Sequence, residues 1–300
     1  MPSLTPRILL IALLVAPINC YFLIQMELVR YTFPTWVVPL SNVIFILIIL
    51  VAINATVRHL IPRLALHQGE LLVLYVILSL TTTLASGDVL QAVLPTLGQG
   101  HWFATPENEY KGLFSEYLSQ WLTVSDSQVL QGYYDGESSL YLPQNLKAWV
   151  PVTMAWLLLY SILAFNFVCL STIIRRQWTE SERLTYPIIQ LPLAMTSPKS
   201  NFFRSPRMWT GFGIAAGISL MNGLSFLYPS LPNLDVTRHY FPFNDPPMSF
   251  YEGAMVAFYP FAIGIMFLMP LDVLFSTILF YVLYRNQLAL GQVCLLYTSP

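Results

Sequence analysis

Charge is what this sequence has least of. Soluble globular domains carry roughly 25% charged residues. This 300-residue chain carries 10%, against 56% hydrophobic residues and a mean hydropathy of +0.60. So few charges cannot cover its apolar surface in water, which excludes a soluble globular fold and makes the lipid bilayer its solvent. The formal net charge is −1 and no basic arm is present, so nothing points to nucleic acid. Cysteine is scarce too: Cys20, Cys169 and Cys294 show no CxxC spacing and no even framework, which argues against disulfides and against a thiolate metal site. The chain also lacks GxxxxGK[ST], GxSxG, HExxH and GxGxxG. His59, His67, His101 and His239 fall on separate loops, so neither a metal nor a cofactor is expected, and no catalytic residue can be nominated.

What the chain does have is long apolar runs. A transmembrane helix needs about 20 mostly apolar residues. Five runs meet this: Ile8–Met26, Trp36–Val57, Leu71–Leu94, Val150–Ile174 and Met208–Tyr228. A sixth, Ala254–Tyr284, is too long for one straight span and is interrupted at "MPLD" (Met269 to Asp272), which reads as a broken helix crossing once. The first run could be mistaken for a signal peptide, but "APINC" offers no small residue before Cys20, so an uncleaved span is expected. With the N-terminus in the cytoplasm, ten of the 14 Lys and Arg residues fall inside, in accord with the positive-inside bias. The expected fold is an all-α, polytopic transmembrane helix bundle in the bacterial cytoplasmic membrane.

Residues 98–148 form the largest outer segment. "TPENEYKGLFSEYLSQWL" places Thr105 as an N-cap and Pro106 at the first helical position. Leu113, Phe114, Tyr117, Leu118, Trp121 and Leu122 then recur at helical spacing, predicting an amphipathic helix on the membrane surface. The first outer loop is short, with Glu27 as its sole acid. The final "CLLYTSP" (Cys294 to Pro300) reads as translated sequencing adapter, which implies a natural sequence stopping near Val293 and a missing C-terminal half.

Ionisable groups within spans are costly and by default mark pathways. Asp88 follows Gly87 deep in the third run, and Asp272 follows Pro270 at the break in the sixth. Each couples an acid to a residue that loosens a helix, the arrangement secondary transporters use around substrate and coupling ions. Asn222, in the fifth run, is a third candidate binding group. Asn19, Asn42, Asn166 and Thr81 to Thr83 read as polar glue between helices. Gly213 and Gly217, in GxxxG spacing, predict a close-packing face. A faint echo of "PLSNVIFILIIL" (from Pro39) in "PLDVLFSTILF" (from Pro270) hints at a repeat.

Between the fourth and fifth runs lies "RRQWTESERLTYPIIQLPLAM", Arg175 to Met195. Thr179 and Glu182 have capping-box spacing, predicting a helix start at Thr179 and a stop before Pro187. The stretch from Pro187 to Met195 is too short to span, so it either lies in the interface or re-enters. Thr179, Glu182, Arg183 and Pro187 are thus candidates for a cytoplasmic gate or cap.

This stretch, together with "PFAIGIMFLMPLDVLFSTILFYVLYR", resembles a prokaryotic family of polytopic membrane proteins defined only as a domain of unknown function. The resemblance runs to about Val293. More distantly, the layout is similar to oligopeptide transporters, whose Leu-x-x-Pro segment would correspond to Leu184–Pro187. Their Asn-Pro-Gly motif is absent. The family resemblance itself supplies no activity; the intramembrane acids beside helix breaks imply a secondary transporter of a small organic solute, peptide-like molecules among the candidates, coupled to protons or cations. Its partners would be the bilayer, the solute and the coupling ion. The competing reading is a membrane-embedded enzyme or scaffold acting through outer acids such as Glu107, Asp126 and Asp135.

Overall fold

The structure, a computed structural model, describes residues 5–36, 40–182, 186–236, 238–240 and 255–293. Arg183 and the terminal Cys294 to Pro300 lie outside the described residues. Among the described residues the fold is all-α apart from one short two-stranded ladder, and five helices are long and apolar enough to cross a membrane. The chain divides into two compact units, 1–184 and 185–300.

In the first unit, α1 (Pro6–Ile24) lies closest to α3 (Gln68–Ala85), and α2 (Ser41–Leu60) packs on both. Their buried residues follow one helical face each: Ile8, Ala12, Asn19 and Leu23 on α1, and Leu71, Leu74, Leu78 and Thr82 on α3. The opposite faces, with Leu9, Leu10, Leu13 and Leu14 on α1, are exposed as expected of helices facing lipid. Lipid tails are as apolar as leucine, so burial alone gives such helices little drive to associate, and interhelical hydrogen bonds must contribute.

The third expected span is not continuous. α3 ends at Ala85, residues 86–89 form a turn, and α4 (Leu90–Trp102) resumes. The fourth, α7 (Pro143–Arg176), starts well before Val150 because Pro143 sits at its first position, where a missing N–H has no helical partner anyway. α7 passes without interruption into a five-residue π-turn, Gln177–Ser181. This corrects the expectation of a helix beginning at Thr179. The residue sits at a helix end, its hydroxyl donating back to the Arg175 carbonyl at 2.8 Å, while Glu182 accepts from the Gln177 side chain at 3.3 Å. Continuing the backbone ladder of a long span outcompetes one side-chain cap.

Residues 98–148 differ as well. Thr105 caps no helix: it and Asn108 bond reciprocally, Asn108 also donates to the Phe103 carbonyl at 2.7 Å, and Glu109 takes a left-handed φ of 51°. These local bonds close a tight turn and divide the expected amphipathic helix into α5 (Tyr110–Leu113) and a 3₁₀ turn at Ser115–Tyr117. A regular helix follows in α6 (Ser127–Tyr134), where the Asp126 carboxylate accepts from the amides of Gln128 and Val129. Leu97, Val124, Val129, Leu130, Trp149 and Val152 form the core beneath this segment.

In the second unit, α8 (Pro187–Thr196) is a ten-residue apolar helix and α9 (Pro206–Leu227) a full span. Strands β1 (Arg238–Tyr240) and β2 (Met255–Ala257) pair antiparallel. The sixth apolar run is built as α10 (Pro260–Phe267) and α11 (Leu271–Val293), broken at Leu268 to Pro270 as the "MPLD" interruption predicts.

Candidate functional site

Glu27 lies at the centre of a five-residue π-turn, Gln25–Val29, that ends α1. Such turns are rare and collect at functional sites. Here the turn rotates an acid back toward the bundle, where it is 1% exposed. The α3–α4 break supplies its partners. The Gly87 amide, released from the helical ladder, donates to Glu27 Oε2 at 2.8 Å, and Gln91 Nε2 donates to the same oxygen at 3.0 Å. The Thr35 hydroxyl donates to Oε1. Gln91 also donates to the Ala85 carbonyl at 2.7 Å, so its side chain staples the two sides of the break. All three groups bonded to the carboxyl are neutral donors, so among the described residues this acid is held by hydrogen bonds without a cation. The Gln91 Oε1 atom is buried and has no hydrogen-bond partner.

Further along the same three helices, Asn19, Asn42 and Thr82 form a buried polar triad. Asn19 Nδ2 donates to Thr82 Oγ1 at 2.7 Å, and Asn42 Nδ2 donates to Asn19 Oδ1 at 2.9 Å and to Thr82 Oγ1 at 3.1 Å. The bonds tie α1, α2 and α3 together. They leave Asn42 Oδ1 buried without a partner. Glu27 and this triad give the three-helix cluster a polar interior in a chain otherwise short of polar groups.

The residues nominated from sequence are dispersed. Asp88 is exposed in the 86–89 turn, next to the Gly87 amide that binds Glu27. Asp272 is exposed in the first turn of α11, just beyond the other helix break. Asn222 has both ends of its amide committed: Nδ2 donates to the Leu234 carbonyl and Oδ1 accepts from the Leu234 amide, each at 2.9 Å. Pro187 opens α8. A side chain added at Gly213 or Gly217 would meet open space. Asp126 caps α6, Asp135 is its exposed last cap, and Thr105 hydrogen-bonds Glu107 and holds its carboxyl below the usual range. Glu27 is the residue sequence reasoning passed over. Its signal was position: it is the sole acid of its loop and directly abuts the apolar run ending at Met26.

Among the described residues, five apolar helices of membrane length make this a multi-pass integral membrane protein, and its first three carry a buried polar cluster. The chain belongs to the family of unknown function DUF6785, whose model matches residues 1–297. No curated protein and no solved structure matches it.

Proposed function

We propose that the protein is a secondary transporter of the bacterial cytoplasmic membrane, with its N-terminus in the cytoplasm, moving a small organic solute coupled to protons or cations. The single observation that carries this reading is Glu27: a carboxyl buried among neutral donors, seated against a broken helix. Discontinuous helices beside intramembrane acids are the working parts of transporters, because a break exposes backbone groups that can exchange one partner for another. In this reading Glu27 takes up the coupling proton or cation. Asp88 and Asp272, each beside a break, are the solute-facing carboxylates. Thr179, Glu182, Arg183 and Pro187 belong to the cytoplasmic gate.

The test is uptake by proteoliposomes of the full-length protein, using radiolabelled Ala-Ala and a labelled amino-acid mixture under imposed proton or sodium gradients. Gradient-driven accumulation above protein-free vesicles is expected, with loss in Glu27→Gln and retention in Asp126→Asn. Absence of accumulation under either gradient would overturn the proposal.

A further inference from the structure

The turn that buries Glu27 occurs twice. The first span closes with Glu27-Leu28-Val29-Arg30-Tyr31-Thr32-Phe33-Pro34 and the fourth with Glu180-Ser181-Glu182-Arg183-Leu184-Thr185-Tyr186-Pro187. Both read E-x-x-R-x-T-(F/Y)-P. Both spans end in a five-residue π-turn that begins with glutamine, whose carbonyl accepts from the residue after the turn: Arg30 onto Gln25 at 3.2 Å, Glu182 onto Gln177 at 3.0 Å, with Glu27 the third residue of its turn and Glu180 the fourth of its own.

Further landmarks follow in the same order. A 3₁₀ turn, Pro34–Trp36 in one case and Phe202–Arg204 in the other, precedes the next span. Near the far end of that span an asparagine clamps the backbone of a leucine twelve residues on. Asn54 bonds Leu66 through both ends of its amide, as Asn222 bonds Leu234. The span after that is broken in both cases, at 86–89 and at 268–270. α8 is the main element of the second series without a counterpart in the first. One shared motif in an apolar chain could be coincidence, but a motif, a π-turn, an asparagine clamp and a helix break recur in one order, and the 3₁₀ turn and the clamp do so at one spacing, Pro34 with Phe202 and Asn54 with Asn222. That order pairs Asn54 with Asn222, where the echo would pair Pro39 with Pro270.

We infer that the chain is an inverted duplication of a three-span unit, and that Glu180 is the second copy of the Glu27 switch, serving the opposite membrane face. Three crossings separate the motifs, so they face opposite sides whichever way the chain is inserted. The copies are caught in different states. Glu27 is buried on the amide freed by its helix break, whereas Glu180 is 66% exposed and paired at 3.0 Å with Arg176, itself 86% exposed. One closed copy and one open copy is the asymmetry that alternating access between inverted repeats requires. The switch role rests on the transport reading; the duplication does not.

Single cysteines at Thr32 and Thr185, in full-length protein with its native cysteines changed to serine, would be labelled by a membrane-impermeant maleimide in right-side-out and inverted vesicles. Labelling from opposite sides is expected, and labelling of both from one side would overturn the duplication. With Glu27→Gln added, Thr32→Cys should label faster and Thr185→Cys more slowly. Thr35→Val, which keeps the carboxyl and removes one of its donors, should shift both rates the same way if Glu27→Gln does not fold. Opposite-sided labelling whose rates do not move reciprocally would overturn the switch while leaving the duplication standing. Neither measurement depends on uptake, so a protein that carries no solute is recognised separately.

Discussion

The backbone amide of Gly87 donates to the carboxylate of Glu27 across 2.8 Å, so the last turn of the first span closes the gap where the third span breaks. A side chain thereby supplies the acceptor that an unbroken helix would have found in its own ladder. Removing that acceptor leaves the Gly87 amide and the Thr35 hydroxyl without their partner, and leaves Gln91 with only the Ala85 carbonyl. Each such group costs about 1–3 kcal/mol. Glu27→Ala should therefore lower the detergent-solubilised melting temperature sharply, as read by size-exclusion chromatography after heating.

Gly87 separates the role of the amide from that of space. A Cβ there would lie 3.5 Å from Glu27 Oε2, an ordinary contact, so Gly87→Ala should melt close to wild type. Gly87→Pro removes the N–H and should reproduce much of the Glu27→Ala loss. Equal melting temperatures for the two variants would show that the amide bond contributes nothing.

The polar triad should behave as glue. Asn42→Ala strips Asn19 and Thr82 of a shared donor and is expected to destabilise by about 1–2 kcal/mol. Asn166→Ala is the control, since Asn166 is exposed and bonds the Ile162 carbonyl of its own helix. Unfolding titrations in mixed micelles distinguish the two.

Beneath α6, a Cβ on Gly98 would collide with Leu130 Cδ2. Gly98→Ala should destabilise by about 1–3 kcal/mol through overpacking, and Leu130→Ala in the same chain should recover part of that loss. Additive melting shifts in the double variant would count against the contact.

The same region carries an alkaline response. Burial, and then the neighbouring Tyr133, push the Tyr134 phenol up, and its hydroxyl donates to the Pro95 carbonyl. The folded value stands above the unfolded one, so this contribution is complete at neutral pH. It persists to the unfolded phenol value of about 10 and is lost as pH climbs through the folded value. Absorbance at 295 nm should show tyrosine ionising later in the folded than in the unfolded protein, and Tyr134→Phe should shrink that late fraction.

Much of the fold was legible because bilayer thickness sets the length of an apolar run. The runs at Ile8, Trp36 and Met208 became α1, α2 and α9 with modest shifts at their ends. Proline marked the break in the sixth run. The break in the third run was harder to read, since Ser86, Gly87 and Asp88 look like small or polar residues inside a helix until Glu27 is brought from 60 residues away to meet the Gly87 amide. Thr179 misled because a capping box and a helix end contain the same residue types, and only the ladder arriving from α7 decides between them. Glu27 was hidden for a related reason. Composition places an acid in a loop, and a π-turn, which composition does not encode, carries it into the interior.

The fourth span has a mechanical consequence. From Pro143 to Ser181 it runs for 39 residues without a break in its helical hydrogen bonding. At about 1.5 Å per residue that is nearly twice the roughly 30 Å hydrocarbon layer. One end holds Trp149 and Val152 in the core beneath α6, and the other carries Arg176 and Glu180. A rod of that length works as a lever: a few degrees of tilt at Trp149 sweeps the Arg176–Glu180 end through several ångströms.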